Sequence, residues 1–392
     1  MNKLKYTLST HAKWHYFEVA KSFYKKNQLS KLIAGYPWFL IRKEKIPYGL
    51  IDCNGNYTII NKLLRNNKHT YLLNLRDKVQ YLNAKSISKK TIKYIDESDV
   101  LLAISGTGFI GGSEYVKRGK FYICERSSAH IDYTKEILHN EYKDLKLFSI
   151  LDQSLKYYFN DWKSDMERKE YNDADLILTP STFVSNTFKK FGFTNTFSLN
   201  FGINLDNFYP YEEKQSKKTF DILFVGQLSV RKGLHYLINA FKKFDHPNKR
   251  LHIVGVETEE IDFFKDLIRF EDNIIFHGIK KGNDLRDMYN FADVFVLPSL
   301  EEGFAIVIKE ALACGCPVIV SENTGAKEFV QENECGLVVP IKDSNSITKS
   351  LDQLNEDRTL LQKFSENAKA ISKNNTWDKY TEELNTRVSK LI

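Results

Sequence analysis

The sequence predicts an α/β protein made of two doubly wound halves, each a parallel sheet with helices on both faces. Three observations carry that prediction. Apolar runs of strand length recur along the chain, each bounded by Gly, Pro or Asn, with helix-length segments between them. A length of 392 residues exceeds one ordinary core and suits two domains. A polar stretch at 203–219, INLDNFYPYEEKQSKKT, is interrupted by Pro210 and divides the pattern in two.

In the first half, KYTLS (5–9), KLIAG (31–35), DVLLAIS (99–105), KFYIC (120–124), ADLILTP (174–180) and TFSLNF (196–201) read as strands. In the second half the alternation is regular. DILFV (221–225), RLHIVG (250–255), NIIFHG (273–278), DVFVLP (293–298), PVIV (317–320) and GLVV (336–339) are each followed by a helical segment. Such β-α-β units wind parallel sheets. No short-period repeat and no low-complexity tract interrupts them, so the halves are two similar domains rather than copies of a small module.

One stretch invites a different function. DVLLAISGTGFIGGSEYVKRGKFYICER (99–126) carries Gly106, Gly108 and Gly111 in the spacing of a dinucleotide-binding turn, with Glu125 where such folds place an acid on a ribose. Two features argue against a nicotinamide oxidoreductase. Only about eight residues follow Gly111 before the next strand, too few for the three-turn helix that a dinucleotide fold uses. The motif also lies about 100 residues in, away from the first strand. A turn that permits close backbone approach is the expected reading.

Hydrophobic residues make up 42% of the chain and aromatics 13%, as in packed globular proteins. The start, MNKLKYTLSTHAKWHYF, has no apolar signal region, and no run of 18 apolar residues occurs. Five scattered cysteines form neither a disulfide framework nor a zinc pattern. A cytoplasmic protein is therefore expected, with Cys314 and Cys316 as small buried hydrophobes at a helix end. Residues 1–99 carry 19 Lys and Arg against 7 Asp and Glu, so the positive excess sits at the front of the chain. That surface suits an anionic partner, and the absence of any recognised nucleic-acid module favours phospholipid or a phosphorylated substrate.

The chemistry concentrates in ADVFVLPSLEEGFAIVIKEALACGCPVIVS (292–321). A buried strand ends at Pro298, a loop carries Glu302-Gly303-Phe304, and a helix from about Ala305 runs to a stop at Gly315. Glu310 falls about a turn and a half into that helix. In wound sheets ligands bind at this edge, and the open amides of a first helical turn suit an anion or a polar ligand oxygen. A second anion site is expected in DILFVGQLSVRKGLHYLINAF (221–241). There the strand gives way at Gly226, and Arg231-Lys232-Gly233 opens the next helix. Arg by forked hydrogen bonds and Lys as a point charge make a diphosphate cradle. Asp173-Ala174-Asp175 has the form of a metal-holding pair, but it directly precedes the strand LILTP. One Asp is expected to cap a helix, with no metal there.

These segments resemble the retaining family-four glycosyltransferases (glycosyl transferases group 1) with the GT-B fold. The resemblance rests on the Pro-Ser loop, Glu-Gly-Phe, the seven residues between the glutamates and the tail Ala-Cys-Gly-Cys-Pro-Val-Ile. It also rests on the strand–Gly–Lys-Gly segment, on DADLILTPSTFVSNTF followed by NFGINLDNFYP, and on the ending NNTWDKYTEELNTRVSKLI. It implies two Rossmann-like domains facing across a cleft: residues 1–203 on the acceptor side and 204–374 on the nucleotide-sugar side, with a helix at 375–392 returning to the first. It further implies transfer of a hexosyl or N-acetylhexosaminyl group from a nucleotide-diphosphate sugar, such as a UDP- or GDP-sugar. The acceptor would be a cell-envelope glycan or a lipid-linked molecule, as in polysaccharide, lipopolysaccharide or glycolipid synthesis. No metal is implied, and the place of action would be the inner face of the cell membrane, held peripherally at an anionic surface.

Residue by residue, the resemblance places Glu310 on the nucleotide ribose and Glu302 near the transferred sugar, with the Gly303, Phe304 and Ala305 amides around it. Lys232 neutralises the diphosphate, Gly226 allows close approach, and the base lies by backbone near Ile279. Gln227 stands where the family often has Arg, and Arg231 is the candidate for the missing charge. A polar residue after a first-domain strand faces the donor sugar in the family. His130 is chosen for the catalytic vicinity, with Glu125, Ser127 and Ser128 as alternatives, and His11 and His15 stand on the acceptor side. The rival readings are a catalytically inactive binding protein of the same fold and, more remotely, the nicotinamide oxidoreductase.

Overall fold

The structure is a computed structural model that describes residues 3–13, 15–64, 70–147, 161–212 and 217–392. Seven described strands form the first sheet: β1 (Tyr6–Thr10), β2 (Leu29–Ala34), β3 (Ile51–Cys53), β4 (Val100–Ile104), β5 (Phe121–Glu125), β6 (Leu176–Thr179) and β7 (Thr196–Ser198). Six form the second: β8 (Phe220–Val225), β9 (Lys249–Val254), β10 (Ile274–Phe276), β11 (Val294–Leu297), β12 (Val318–Ser321) and β13 (Gly336–Val339). All pair in parallel, in the orders β3-β2-β1-β4-β5-β6-β7 and β10-β9-β8-β11-β12-β13. Each sheet therefore reverses its winding once, between β1 and β4 and between β8 and β11. Those reversals open a crevice at the carboxyl ends of the strands. The α/β class and the two doubly wound domains stand as expected.

β1, β4, β8 and β11 are buried along their whole length, as strands covered on both faces must be; β4 and β11 are continuous apolar runs, whereas β1 buries Thr7, Ser9 and Thr10 and β8 buries Asp221 as well. Strand β3 escaped the sequence reading. It is three residues at the sheet edge with Asp52 in the middle, too short and too polar to make an apolar run. The last helix, Trp377–Val388, returns to the first domain and lies on the helix Tyr16–Lys25. Ser22 Oγ bonds Asp378 Oδ1 and Thr381 Oγ1, and the Gln28 amide donates to Asn385 Oδ1 at 2.7 Å.

The amides of the glycine-rich turn after β4 are engaged within the protein. The Gly106 and Gly108 amides donate to the Glu170 carboxyl from the helix Asp161–Asp173. Burial pushes that carboxyl up to about 8 against the pull of the two amides. A Cβ on Gly111 would meet Thr91 Oγ1 at 1.7 Å, and one on Gly108 the Tyr122 hydroxyl at 2.2 Å, so these glycines serve close packing. The Asp173-Ala174-Asp175 reading also needs correction, because neither Asp caps a helix start. Asp173 ends a helix and takes Ser113 and Lys169, while Asp175 accepts the Tyr122 amide at 2.8 Å. In the basic front, Phe17, Val19 and Phe23 are buried, and Lys21 pairs with Glu18 and Glu44. Trp14 lies outside the described residues.

Candidate donor site

The loops after β8 and β11 meet at the second sheet's reversal. Gly233, at φ +68°, lies so close to the β11 loop that a Cβ there would meet the Pro298 carbonyl at 2.0 Å. Leu300 N donates to the Arg231 carbonyl at 2.9 Å and fastens the two loops together. Arg231 and Lys232 lie in a 3₁₀ turn, Val230–Lys232, ahead of the helix Leu234–Lys243 rather than in its first turn as expected. Gly226 sits where the chain leaves β8. Its carbonyl would be struck at 1.6 Å by a Cβ on Gly255, so the loops after β8 and β9 are equally tight.

Glu302 receives both cations. Lys232 Nζ pairs with Glu302 Oε2, and Arg231 Nη1 lies 3.4 Å from the same oxygen while donating to the Glu301 carbonyl at 3.0 Å. Burial pushes the Glu302 carboxyl up, but Lys232 and Arg231 outweigh it and hold the group below its ordinary value. Lys232 is held down by burial and by Arg231, against the attraction of Glu302. The Gly303, Phe304 and Ala305 amides, ahead of the helix Ile306–Ala313, donate to no acceptor among the described residues.

Glu310 lies in the second turn of that helix. The Tyr289 hydroxyl donates to its Oε2 at 3.1 Å, and burial pushes the carboxyl up to about 7. Ile279, 58% exposed, follows Gly278, whose carbonyl accepts the Gly255 amide at the end of β10.

The first domain touches this site directly. Ser181 Oγ donates to the Gly303 carbonyl at 2.8 Å, the Ala129 amide donates to Glu301 Oε1 at 2.7 Å, and a Cβ on Gly303 would meet the Ser127 carbonyl at 1.9 Å. Ser127 thus lies against the Gly303 loop. His130 points elsewhere. Its Nδ1 caps the helix Ile131–Asp144, and its ring is enclosed by Tyr171, Phe188, Phe191 and Phe193, stacked on Phe191 at 4.2 Å. That cage, and a nitrogen pushed down to about 4 mainly by burial, make it a packing histidine. Glu125 is fully buried and accepts from Ser127 Oγ at 3.2 Å, with His15 Nε2 at 2.5 Å. It is no ribose ligand. His15 in turn lies parallel to Trp377 at 5.6 Å. The His11 ring lies near Lys163 and Glu167, and its nitrogen is pushed down to about 4 chiefly by burial.

Sequence reasoning missed Ser181, Glu301, Tyr289 and the clasp at Glu141. Ser181 was legible as the cap of the helix Thr182–Lys190, but its bond across the cleft was not. Glu141 accepts from His235 Nε2 at 2.9 Å and Tyr236 OH at 2.7 Å and forms an ion pair with Lys342 Nζ at 2.6 Å, three second-domain groups on one first-domain carboxylate.

Residues 208–371 match the model of the family described as glycosyl transferases group 1. An uncharacterized glycosyltransferase of Methanocaldococcus jannaschii is 35% identical over 167 residues, 41% of this chain and 43% of that one. The capsular polysaccharide biosynthesis glycosyltransferase CapM of Staphylococcus aureus is 32% identical over 200 residues, 49% of this chain and 52% of its own. The chain thus spans about half the length of the curated relatives it matches. Among solved structures, sucrose-phosphate synthase of Thermosynechococcus elongatus superposes with a TM-score of 0.72 at 17% identity, over 100% of this chain and 99% of that one. With one winding reversal in each sheet, two sheets facing across a cleft and this match in its second half, the chain carries a glycosyl transferases group 1 region on a GT-B fold.

Proposed function

We propose that the chain is a retaining glycosyltransferase that moves a hexosyl or N-acetylhexosaminyl group from a nucleotide-diphosphate sugar to a cell-envelope glycan or lipid-linked acceptor. The observation that carries this reading is the convergence of Lys232 and Arg231 on Glu302 at the sheet reversal, next to Gly303–Ala305 amides that donate to no acceptor among the described residues. A departing nucleoside diphosphate gains negative charge while the anomeric carbon gains positive charge. Fixed cations and amides stabilise the first, and the Glu302 carboxylate lies on the side of the second. Glu310 would take the ribose hydroxyls, Gly226 admit the phosphates, and the backbone at Ile279 meet the base. Ser127 replaces His130 as the first-domain group facing the sugar, with Glu125 buried behind it and accepting from its hydroxyl. The acceptor side is assigned to the carboxyl edge of the first sheet, where His11 and His15 follow β1.

The division at 203/204 and 374/375 is supported by the two chain crossings running side by side, with the Ile203 amide donating to the Asn375 carbonyl at 2.8 Å. Closure across them excludes water from the donor and limits wasteful hydrolysis. A cell-envelope acceptor is supported by the relative named for capsular polysaccharide biosynthesis. A peripheral place on an anionic membrane is supported by Phe39 and Tyr48, 59% and 67% exposed, beside Arg42, Lys43 and Lys45.

The test is release of nucleoside diphosphate from UDP- and GDP-sugars with a glycan acceptor, read with and without excess EDTA. Turnover in both conditions with the anomeric configuration kept agrees with the proposal. Donor binding without any turnover means an inactive binding protein, and turnover abolished by EDTA and restored by manganese means a metal-dependent enzyme.

A further inference from the structure

Lys309 precedes Glu310 on the donor-site helix, yet its side chain runs to the interdomain crossings. Its residue is 2% exposed, and no carboxylate lies within ion-pair reach of it among the described residues. Burial alone pushes the ammonium down to about 7. An unpaired cation in such a place is unfavourable unless its protons are used, since desolvation disfavours the charged form. Here they are used on both chain crossings at once. Lys309 Nζ donates to the Phe201 carbonyl on the outgoing crossing, and it lies 3.1 Å from Asn375 Oδ1 on the returning one. The same nitrogen sits 5.2 Å from the ring centroid of Phe304 and 4.9 Å from that of Phe329. Phe304 belongs to the loop that offers its amides to the donor.

The crossings are also tied to each other, to the last helix and to the first domain, where the Leu199 amide donates to the Thr179 carbonyl at 2.8 Å and the Phe201 ring lies 4.3 Å from that of His15. Ile203 N bonds the Asn375 carbonyl, and a Cβ on Gly202 would meet Trp377 N at 2.5 Å. Lys309 is the side chain that joins this pair to the helix carrying Glu310 and to the loop carrying Gly303. A hinge of two strands needs such a fastening if its angle is to be set by the donor loop rather than to drift.

We propose that Lys309 is a positioning residue that pins both interdomain crossings to the donor-site helix, so that the angle of the cleft and the seating of the Glu302–Ala305 loop change together. The proposal rests on the donor-site reading for its kinetic consequence but not for its structural one. Without the pin, the closed arrangement is a smaller fraction of the ensemble, and apparent donor affinity falls by that fraction. An arginine reaches both oxygens with its fork and keeps the link, whereas methionine fills the space and donates nothing.

The experiment compares the whole chain with Lys309→Met and Lys309→Arg by hydrogen exchange at 199–203 and 374–377, without donor, and by donor kinetics. Lys309→Met is expected to lose protection at least tenfold in both crossings, to raise KM for the donor three- to tenfold, and to lower kcat with it. Lys309→Arg is expected to restore both. A protein merely destabilised would lose kcat through a smaller folded fraction at unchanged KM. If Lys309→Met does not fold, Asn375→Ala removes one acceptor and is expected to loosen the same two segments. Unchanged protection in both crossings overturns the pin, whatever the chemistry. Lost protection in a protein whose wild type transfers no sugar leaves the pin standing and removes the enzyme.

Discussion

The Ser181 hydroxyl, at the head of a first-domain helix, donates to the carbonyl of Gly303 in the second domain at 2.8 Å, and Ser127 closes on the same glycine from the other side. Closure of the cleft is therefore built on a glycine in the donor loop. Gly303→Ala places a methyl 1.9 Å from the Ser127 carbonyl, a distance no pair of atoms tolerates. Each domain can still fold, so the variant is expected to melt within a few degrees of the wild type and to lose at least tenfold in transfer. Ser181→Ala, which removes one hydrogen bond worth about 0.5–1.5 kcal/mol, is expected to lose less than about tenfold. Full transfer by Gly303→Ala would mean that the cleft works open.

The cations and the Glu310 carboxyl are separated in a second experiment. Lys232→Ala and Glu310→Ala each remove a charged contact, and each is expected to lower kcat/KM at least tenfold, or more than about 1.4 kcal/mol. Lys232→Ala also leaves Glu302 with Arg231 alone, so its loss is expected to exceed that of Arg231→Ala. Wild-type rates in either principal variant would move the donor elsewhere.

Glu310 gives the stability a pH dependence of known sign. Its folded carboxyl is raised by burial from the ordinary 4.5 to about 7. The protonated form is thus favoured by folding, and the stability linked to it is complete below about 4.5 and lost as pH rises towards about 7. Glu310→Gln stays neutral throughout. The melting temperature of the variant relative to the wild type is therefore expected to rise between pH 5 and pH 8, and a constant difference would show that this carboxyl does not titrate there.

The exposed Phe39 and Tyr48 beside Arg42, Lys43 and Lys45 are expected to draw the protein onto vesicles containing phosphatidylglycerol and only weakly onto neutral ones. Lysines near such a surface contribute on the order of 1 kcal/mol each, so about 0.5 M salt is expected to release the protein. Equal binding to both kinds of vesicle, or to neither, would leave a soluble anionic acceptor as the partner for this charge.

Twelve of the thirteen described strands were legible in the sequence, most plainly β4 and β11, whose wholly buried residues have no polar side to interrupt them. Edge strand β3 had no such run to show. In the site, what sits on one loop or one turn was legible: Glu302, Gly303, Glu310, Arg231 and Lys232 all follow from strand ends and helix starts. What depends on the other domain was not. His130 and Ser127 are three residues apart on one turn, and nothing in the sequence says that the histidine ring turns into Phe188 and Phe191 while the serine carbonyl turns to Gly303. Lys309 reads as one polar residue in an apolar helix, and its partners Phe201 and Asn375 lie 108 and 66 positions away.

The central claim is that a nucleotide-diphosphate sugar binds where Lys232 meets Glu302. The most direct measurement is a thermal-shift panel of UDP-, GDP- and ADP-sugars on the wild type and on Lys232→Ala. A ligand at a hundred times its Kd stabilises by about 2.7 kcal/mol, a shift of several degrees in a domain of this size. At least one donor is predicted to raise the wild-type melting temperature and to leave Lys232→Ala nearly unmoved. A panel that shifts neither protein, or both by the same amount, would contradict the assignment.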